Sequence, residues 1–211
     1  MPIKLYSSPN TTHGKIVSMV LYEKGIPFEF AKVDFASKQQ RSPEFLAMNP
    51  FGKIPCIDDN GFILYESRAI ARYLEENYPG GPGLIPSDPK QRALFDQAAA
   101  VELSSFDHYG TPLVFEVFVK PYFKQEPDPA KCKEMTEHLN ATLDVYEKIL
   151  AKQQYIAGDS LTLADLYHIP LASVLSRGNF DITDGRPNVK RWYDEISSRP
   201  SWLKAEAELK A

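Results

Sequence analysis

The run Pro79-Gly80-Gly81-Pro82-Gly83 divides this chain into two kinds of sequence. Neither a helix nor a strand interior tolerates that density of proline and glycine, and Pro86 and Pro89 extend the break. Before it, short apolar alternations interleave with helical periodicities. After it, every periodic segment reads as helix. The expected fold is therefore a small α/β body followed by an all-helical one, with boundaries at 1–79, a linker at 80–89, and 90–211.

In the first part, residues 3–6 predict a strand. Residues 12–24 place Ile16, Val17, Val20 and Leu21 at helical spacing, and Gly25 and Pro27 end that helix. The stretch Phe28 to Phe35 alternates as a half-buried strand. Residues 42–47 predict a short helix after Ser42-Pro43. Residues 54–58 and 62–65 form a hairpin around Asn60-Gly61, which favours a tight turn. A helix capped by Ser67 then covers 67–77. The order βαβ followed by ββα is that of a thioredoxin-like domain. Past the break, Lys90 to Lys120 predicts a long helix, irregular near Gly110-Thr111-Pro112, and Lys131 to Lys152 predicts another. Thr162 and Asp165 stand at capping-box spacing before a further helix, so Asp165 reads as a folding cap. Pro170 is expected to kink that helix, and Val189 to Ser198 is the last clear one.

Composition narrows the function classes. With 43% apolar and 25% charged residues, the chain is ordinary for a soluble globular protein. A net charge of −4 gives no electrostatic reason to expect nucleic acid. No apolar run is long enough to span a bilayer, so no membrane partner is expected. The start lacks the basic and apolar regions of a secretory signal, and a cytoplasmic protein is expected. Cys56 and Cys132 lie far apart with no C-x-x-C, against a disulfide framework, a zinc site or a dithiol motif. His13, His138 and His168 have no partners at ligand spacing, so no metal is assigned.

The segment Asn49-Pro50-Phe51-Gly52-Lys53-Ile54-Pro55 is followed by Tyr65-Glu66-Ser67-Arg68-Ala69. The first reads as a turn leading into an X-Pro bond at a strand start, the second as a strand end and a helix start. A backbone edge can hydrogen-bond a peptide main chain, and the free N–H groups of a helix start attract a carboxylate. Together they suit a small anionic peptide. This pair of motifs resembles the glutathione-binding half of a glutathione transferase, most closely of the phi class. The similarity runs from Ile3 to about Leu203.

Such an enzyme must supply a thiolate. A free thiol with a pKa of about 8.5 is only a few per cent ionised at pH 7, and bringing it to about 6.5 needs roughly 2.7 kcal/mol. A hydroxyl aimed at the sulfur and the positive end of a helix both favour the charged form. The resemblance places the catalytic hydroxyl at Thr11, where the phi class has serine. Thr12 and Ser8 are the alternatives, and Thr12 is given the capping role. Read without the resemblance, Thr11 or Thr12 is better explained as a helix cap. The resemblance further implies that Gln40 and Arg41 hold the glycine carboxylate, and that Lys53, replacing the usual glutamine, pairs with a carboxylate with altered contacts. It implies that Ile54 beside a cis Pro55 pairs with the cysteinyl backbone, and that Glu66 and Ser67 take the γ-glutamyl end. Asn10, Phe35, Phe115, Phe118, Val119 and Tyr122 are candidate walls for an apolar electrophile. The last four share the i, i+3, i+4, i+7 spacing of one helix face, which read without the resemblance is better described as a core stripe. His108 stands beside them. Phe51, an aromatic in a Gly/Pro-framed turn, is expected to enter a partner subunit, giving a homodimer.

The preferred reading is a detoxifying transferase, or glutathione peroxidase, with glutathione as co-substrate. A weakly catalytic protein of the same fold that binds glutathione or hydrophobic ligands, a ligandin or a regulator, is the first rival. The second, a thiol-transfer enzyme, is disfavoured because no cysteine stands at the start of the first helix; Cys56 reads as core and Cys132 as a solvated thiol.

Overall fold

A computed structural model describes residues 1–208 of the chain. Two compact units are present: Met1–Leu84 together with the segment from Arg199, and Ile85–Ser198.

The first unit is built on a four-stranded sheet in the order β2-β1-β3-β4, with β1 at Ile3–Ser7, β2 at Phe28–Lys32, β3 at Cys56–Asp59 and β4 at Phe62–Tyr65. Strands β1 and β2 are parallel and so require a crossover; helix α1 (Thr12–Glu23) supplies it. Strand β3 runs antiparallel to both β1 and β4. Ile3, Leu5 and Ser7 face inward, and α1 is buried from Gly14 to Leu21. Helix α2 (Pro43–Met48) starts at Ser42, whose hydroxyl accepts from Phe45 N. Helix α3 (Ser67–Asn77) packs Ile70, Ala71 and Leu74 into this core.

The register decides which loops meet at the sheet end. Cys56 lies opposite both Tyr6 and Tyr65. Ser7, Pro55 and Glu66, each one residue beyond those positions, therefore stand at one end of the sheet. Both α1 and α3 begin from that end.

The second unit contains α4 (Pro89–Val101), α5 (His108–Val114) and α6 (Lys120–Tyr122), joined by π-helical turns over Glu102–Asp107 and Phe115–Val119. Helices α7 (Pro129–Leu150), α8 (Leu163–Arg177) and α9 (Pro187–Ser197) complete it. Helix α8 is apolar on all sides and is buried from Leu163 to Ala172. Its N-terminus lies in the interior, so its orphan amides need an internal acceptor. Asp165 provides one, accepting from Thr162 N, Thr162 Oγ1, Ile156 N and Trp192 Nε1, each at 2.9 Å.

Several local expectations are corrected. Strand β2 stops at Lys32, because Asp34 folds the chain into a turn by accepting from Ala36 N at 2.9 Å. Ser67 is the first residue of its helix, and Glu66 stands at the cap position. Helix α1 likewise begins on Thr12, with Thr11 before it, so Thr12 is not the cap. The long helix from Lys90 loses regularity on either side of Gly110-Thr111-Pro112, in the two π turns. Pro170 lies inside α8, where it was expected. A further helix, α10 (Pro200–Glu208), was not anticipated and packs on α1.

Candidate active site

The hydroxyl loop leaves β1 at Ser7 and enters α1 at Thr12. Thr11 N donates to Ser8 O at 3.2 Å, a tight turn that brings the Thr11 side chain back toward the strand. Thr11 Oγ1 donates to Ser8 O at 3.0 Å and lies 3.2 Å from Ser7 Oγ. It makes no capping bond, so the amides of the first turn of α1 are not taken up by this side chain. Thr12 Oγ1 is 3.4 Å from His13 Nδ1. Ser8, the other alternative, is half-buried, and its carbonyl oxygen is what Thr11 binds. Ser7 was not among the expected residues. The signal for it was the period-two alternation of Ile3, Leu5 and Ser7, which puts a hydroxyl on the inward face.

The second piece is the turn from Asn49 to Lys53. Asn49 is buried and pins it from inside, donating from Nδ2 to Lys53 O at 2.7 Å and accepting from Phe51 N at 3.1 Å. Gly52 has φ +59°, and a Cβ there would lie 2.8 Å from both Arg41 Nη1 and Gln40 O. The glycine thus lets the 39–41 turn close on the 49–53 turn, where Arg41 Nη1 donates to Phe51 O at 3.2 Å. Gln40 Oε1 is buried with no hydrogen-bond partner among the described residues. Lys53 is exposed. Ile54–Pro55 is a cis bond. Ile54 packs against Val33, Phe45 and Cys56.

The third piece is the start of α3. Glu66 has φ 72° and ψ 109°, a sparsely populated conformation for a residue with a side chain. Ser67 is buried, and its hydroxyl has no hydrogen-bond partner among the described residues.

The remaining candidates divide. Asn10 is exposed, and Phe35 is 45% exposed in the loop after β2. The expected single face of Phe115, Phe118, Val119 and Tyr122 is not formed. The π turn over Phe115–Val119 widens the helix there, because its bonds run i to i+5. Phe115 and Tyr122 are exposed, and Phe118 and Val119 are half-buried. The Phe118 ring lies over Gly178, where an added Cβ would be 2.9 Å from it. His108 is exposed and set edge-on to Tyr109. Phe51 is 60% exposed, its ring edge-on to Tyr65 at 5.9 Å.

Burial pushes the Cys56 thiol up to about 11, with the Asp58 carboxylate adding to the effect. Such a group is protonated at neutral pH and is no nucleophile. Burial and the nearby Glu116 and Asp128 also raise Cys132. His168 is satisfied in the core by Ala164 O at 2.8 Å and Tyr146 Oη at 3.1 Å. His138 stacks on Tyr109. Among the described residues no group of three ligating side chains is arranged to hold a metal ion.

One end of a sheet thus carries a hydroxyl cluster, a cis-prolyl edge and two helix N-termini. The family model "Glutathione S-transferase, N-terminal domain" matches residues 1–76, and "Glutathione S-transferase, C-terminal domain" matches residues 111–200. The chain is 40% identical to Glutathione S-transferase hmp2 of Hypomyces subiculosus, over 100% of both. Among solved structures, glutathione transferase F2 from Populus trichocarpa is 36% identical, with a TM-score of 0.95 over 99% of each chain. Glutathione S-transferase I from mais, solved in complex with an atrazine glutathione conjugate, is 32% identical. Its TM-score is 0.93 over 100% of this chain and 99% of that one.

Proposed function

Since the chain belongs to the phi class of the glutathione S-transferase family, we propose that its N-terminal unit binds glutathione as co-substrate and ionises the thiol. The thiolate then adds to an apolar electrophile or reduces an organic hydroperoxide. The observation that carries this reading is the sheet register, in which Tyr6, Cys56 and Tyr65 lie abreast. It supports the reading because it brings Ser7, Pro55 and Glu66 to one end of the sheet, and the scheme assigns the parts of the tripeptide from there. The γ-glutamyl carboxylate is taken by the start of α3 and the Ser67 hydroxyl, and Glu66 pairs with the ammonium group. The cysteinyl main chain bonds Ile54 beside Pro55. Gln40, Arg41 and Lys53 hold the glycine carboxylate.

The thiol then meets Thr11. Its hydroxyl swings from Ser8 O to the sulfur, and the N-terminus of α1 adds a favourable field. Together they supply the roughly 2.7 kcal/mol that makes thiolate the major form at neutral pH. In the first unit the candidates for the electrophile are Asn10 and Phe35, and in the second the exposed rings of Phe115 and Tyr122. Phe118 and Val119 serve mainly to pack the helical unit. In this scheme residues 1–79 bind glutathione, 80–89 link, and the helical part that follows ends at Ser198, because the segment from Arg199 belongs to the first unit. The physiological setting we assign is detoxification in the cytoplasm, by a homodimer anchored through Phe51. No helix among the described residues is long and apolar enough to cross a membrane.

The test is to measure glutathione binding alongside conjugation of a generic aryl halide. Binding with turnover is expected, and Ser67→Ala and Arg41→Ala should each raise the dissociation constant. Tight binding without turnover would identify a ligand carrier, and reduction of mixed disulfides a thiol-transfer enzyme.

A further inference from the structure

Ser7 ends β1 on its inward face and is fully buried. A buried hydroxyl needs an acceptor for its proton. The hydrogen bond found for Ser7 Oγ is to Thr11 Oγ1, at 3.2 Å. Thr11 Oγ1 also lies 3.0 Å from Ser8 O, and toward a carbonyl oxygen it can only donate. Threonine has one hydroxyl proton, so with that proton on Ser8 O the Ser7–Thr11 bond must run from Ser7 to Thr11. The same direction holds when Thr11 turns its proton to a thiolate, an acceptor that makes a stronger, charge-assisted bond.

Gly14 shows that the meeting of these hydroxyls is built into the fold. A Cβ at Gly14 would lie 2.0 Å from Ser7 Oγ and 2.5 Å from Thr11 Oγ1. Glycine in a helix is less favourable than alanine by about 1 kcal/mol, yet this buried position of α1 has no room for alanine.

We propose that Ser7 is a positioning residue for thiol activation: its hydroxyl donates to Thr11 Oγ1 and leaves the Thr11 proton for the sulfur of glutathione. Ser7 acts in two ways. It selects the threonine rotamer, because only one setting of χ1 brings Oγ1 rather than the methyl group to Ser7. It also polarises the Thr11 O–H, since a hydroxyl that accepts a hydrogen bond is a better donor. The inference rests on Thr11 being the hydroxyl that activates the thiol.

The experiment titrates bound glutathione by thiolate absorbance and records the pH profile of kcat/KM. It uses the native protein, Ser7→Ala, Thr11→Val and the double variant, with thermal unfolding as control. Ser7→Ala should raise the apparent thiol pKa by about 0.5–1 and lower kcat/KM about three- to tenfold at pH values well below the native thiol pKa. Activity should recover at alkaline pH, and KM for glutathione should stay within about twofold of native. The double variant should match Thr11→Val within about twofold, because Ser7 acts only through Thr11. Ser7→Cys keeps a weak donor and should give an intermediate pKa, which decides the matter if Ser7→Ala is unstable. If Thr11→Val raises the pKa while neither Ser7 variant does, Ser7 only packs and the inference fails alone. A fully additive double variant would overturn it too. If Thr11→Val leaves the pKa unchanged, the Thr11 assignment fails first and takes Ser7 with it.

Discussion

A hydroxyl serves a thiolate only when its single proton is free to point there, and residue type alone does not say whether it is. Thr11 meets the condition because its acceptor in the free protein, Ser8 O, is a neutral carbonyl that a charged sulfur can displace. Asp165 is the opposite case, a carboxylate whose partners leave it no chemistry. Burial pulls its pKa up, and four donors on its two oxygens oppose that pull. Asp165→Asn would turn an amide donor toward two of those donors in the interior. It should cost about 2–4 kcal/mol, read as a lower urea midpoint with an unchanged slope. A variant as stable as the native protein would show that the carboxylate is not the cap of α8. The spacing from Thr162 made Asp165 readable from sequence, because a capping box is a local pattern. Ser7 and Asn49 were not readable as parts of the site. Their partners, Thr11 and the carbonyl of Lys53, are set by how the chain turns.

Elements were legible where one periodicity governs them. The span of α3 was anticipated at 67–77 because Ile70 and Leu74 mark its buried stripe and Tyr78-Pro79 stops it. The π turns were not, since a local change to i→i+5 bonding leaves no distinct pattern in an apolar stretch. Helix α10 was missed because Arg199-Pro200-Ser201 reads as an ending, although proline is also favoured at the first helical position. An ion pair ties the start of α10 to the end of α1, beside the buried Trp202 and Ala205. Arg199 Nε and Nη2 donate to Glu23 at 2.6 and 2.7 Å, and the Ser201 hydroxyl donates to the same carboxylate. Burial pulls the Glu23 carboxyl upward, but the bonds from Arg199 and Ser201 and the Arg199 charge outweigh it and hold the pKa below its ordinary value. A depressed native pKa contributes stability that is fully present above the unfolded value of about 4.3. That stability is lost as pH falls through the native one. Arg199→Ala should therefore cost about 1–3 kcal/mol at neutral pH, a drop of about 2–4 °C in Tm per kcal/mol. The difference from native protein should shrink on acidification. A gap independent of pH would mean that Arg199 acts by packing alone.

For the whole molecule, the proline–glycine run at 79–83 announced a mixed α/β body followed by a helical one, and the family relationship follows the same order. Assembly is the least local property, and its proposal starts from Phe51, exposed in a turn held rigid by Asn49 and Gly52. If that ring anchors a dimer, Phe51→Ala should weaken association by 2 kcal/mol or more, about thirtyfold, and shift sedimentation toward monomer at micromolar concentration. A variant that stays dimeric would place the association elsewhere. The central claim is that this fold lowers the pKa of a bound thiol through Thr11. It is tested most directly by titrating the thiolate absorbance of glutathione bound to native protein and to Thr11→Val. The account predicts a native pKa near 6.5, raised toward the free value of about 8.5 in the variant. Turnover at neutral pH should fall about ten- to a thousandfold with little change in glutathione affinity. An equally low pKa in Thr11→Val would contradict it.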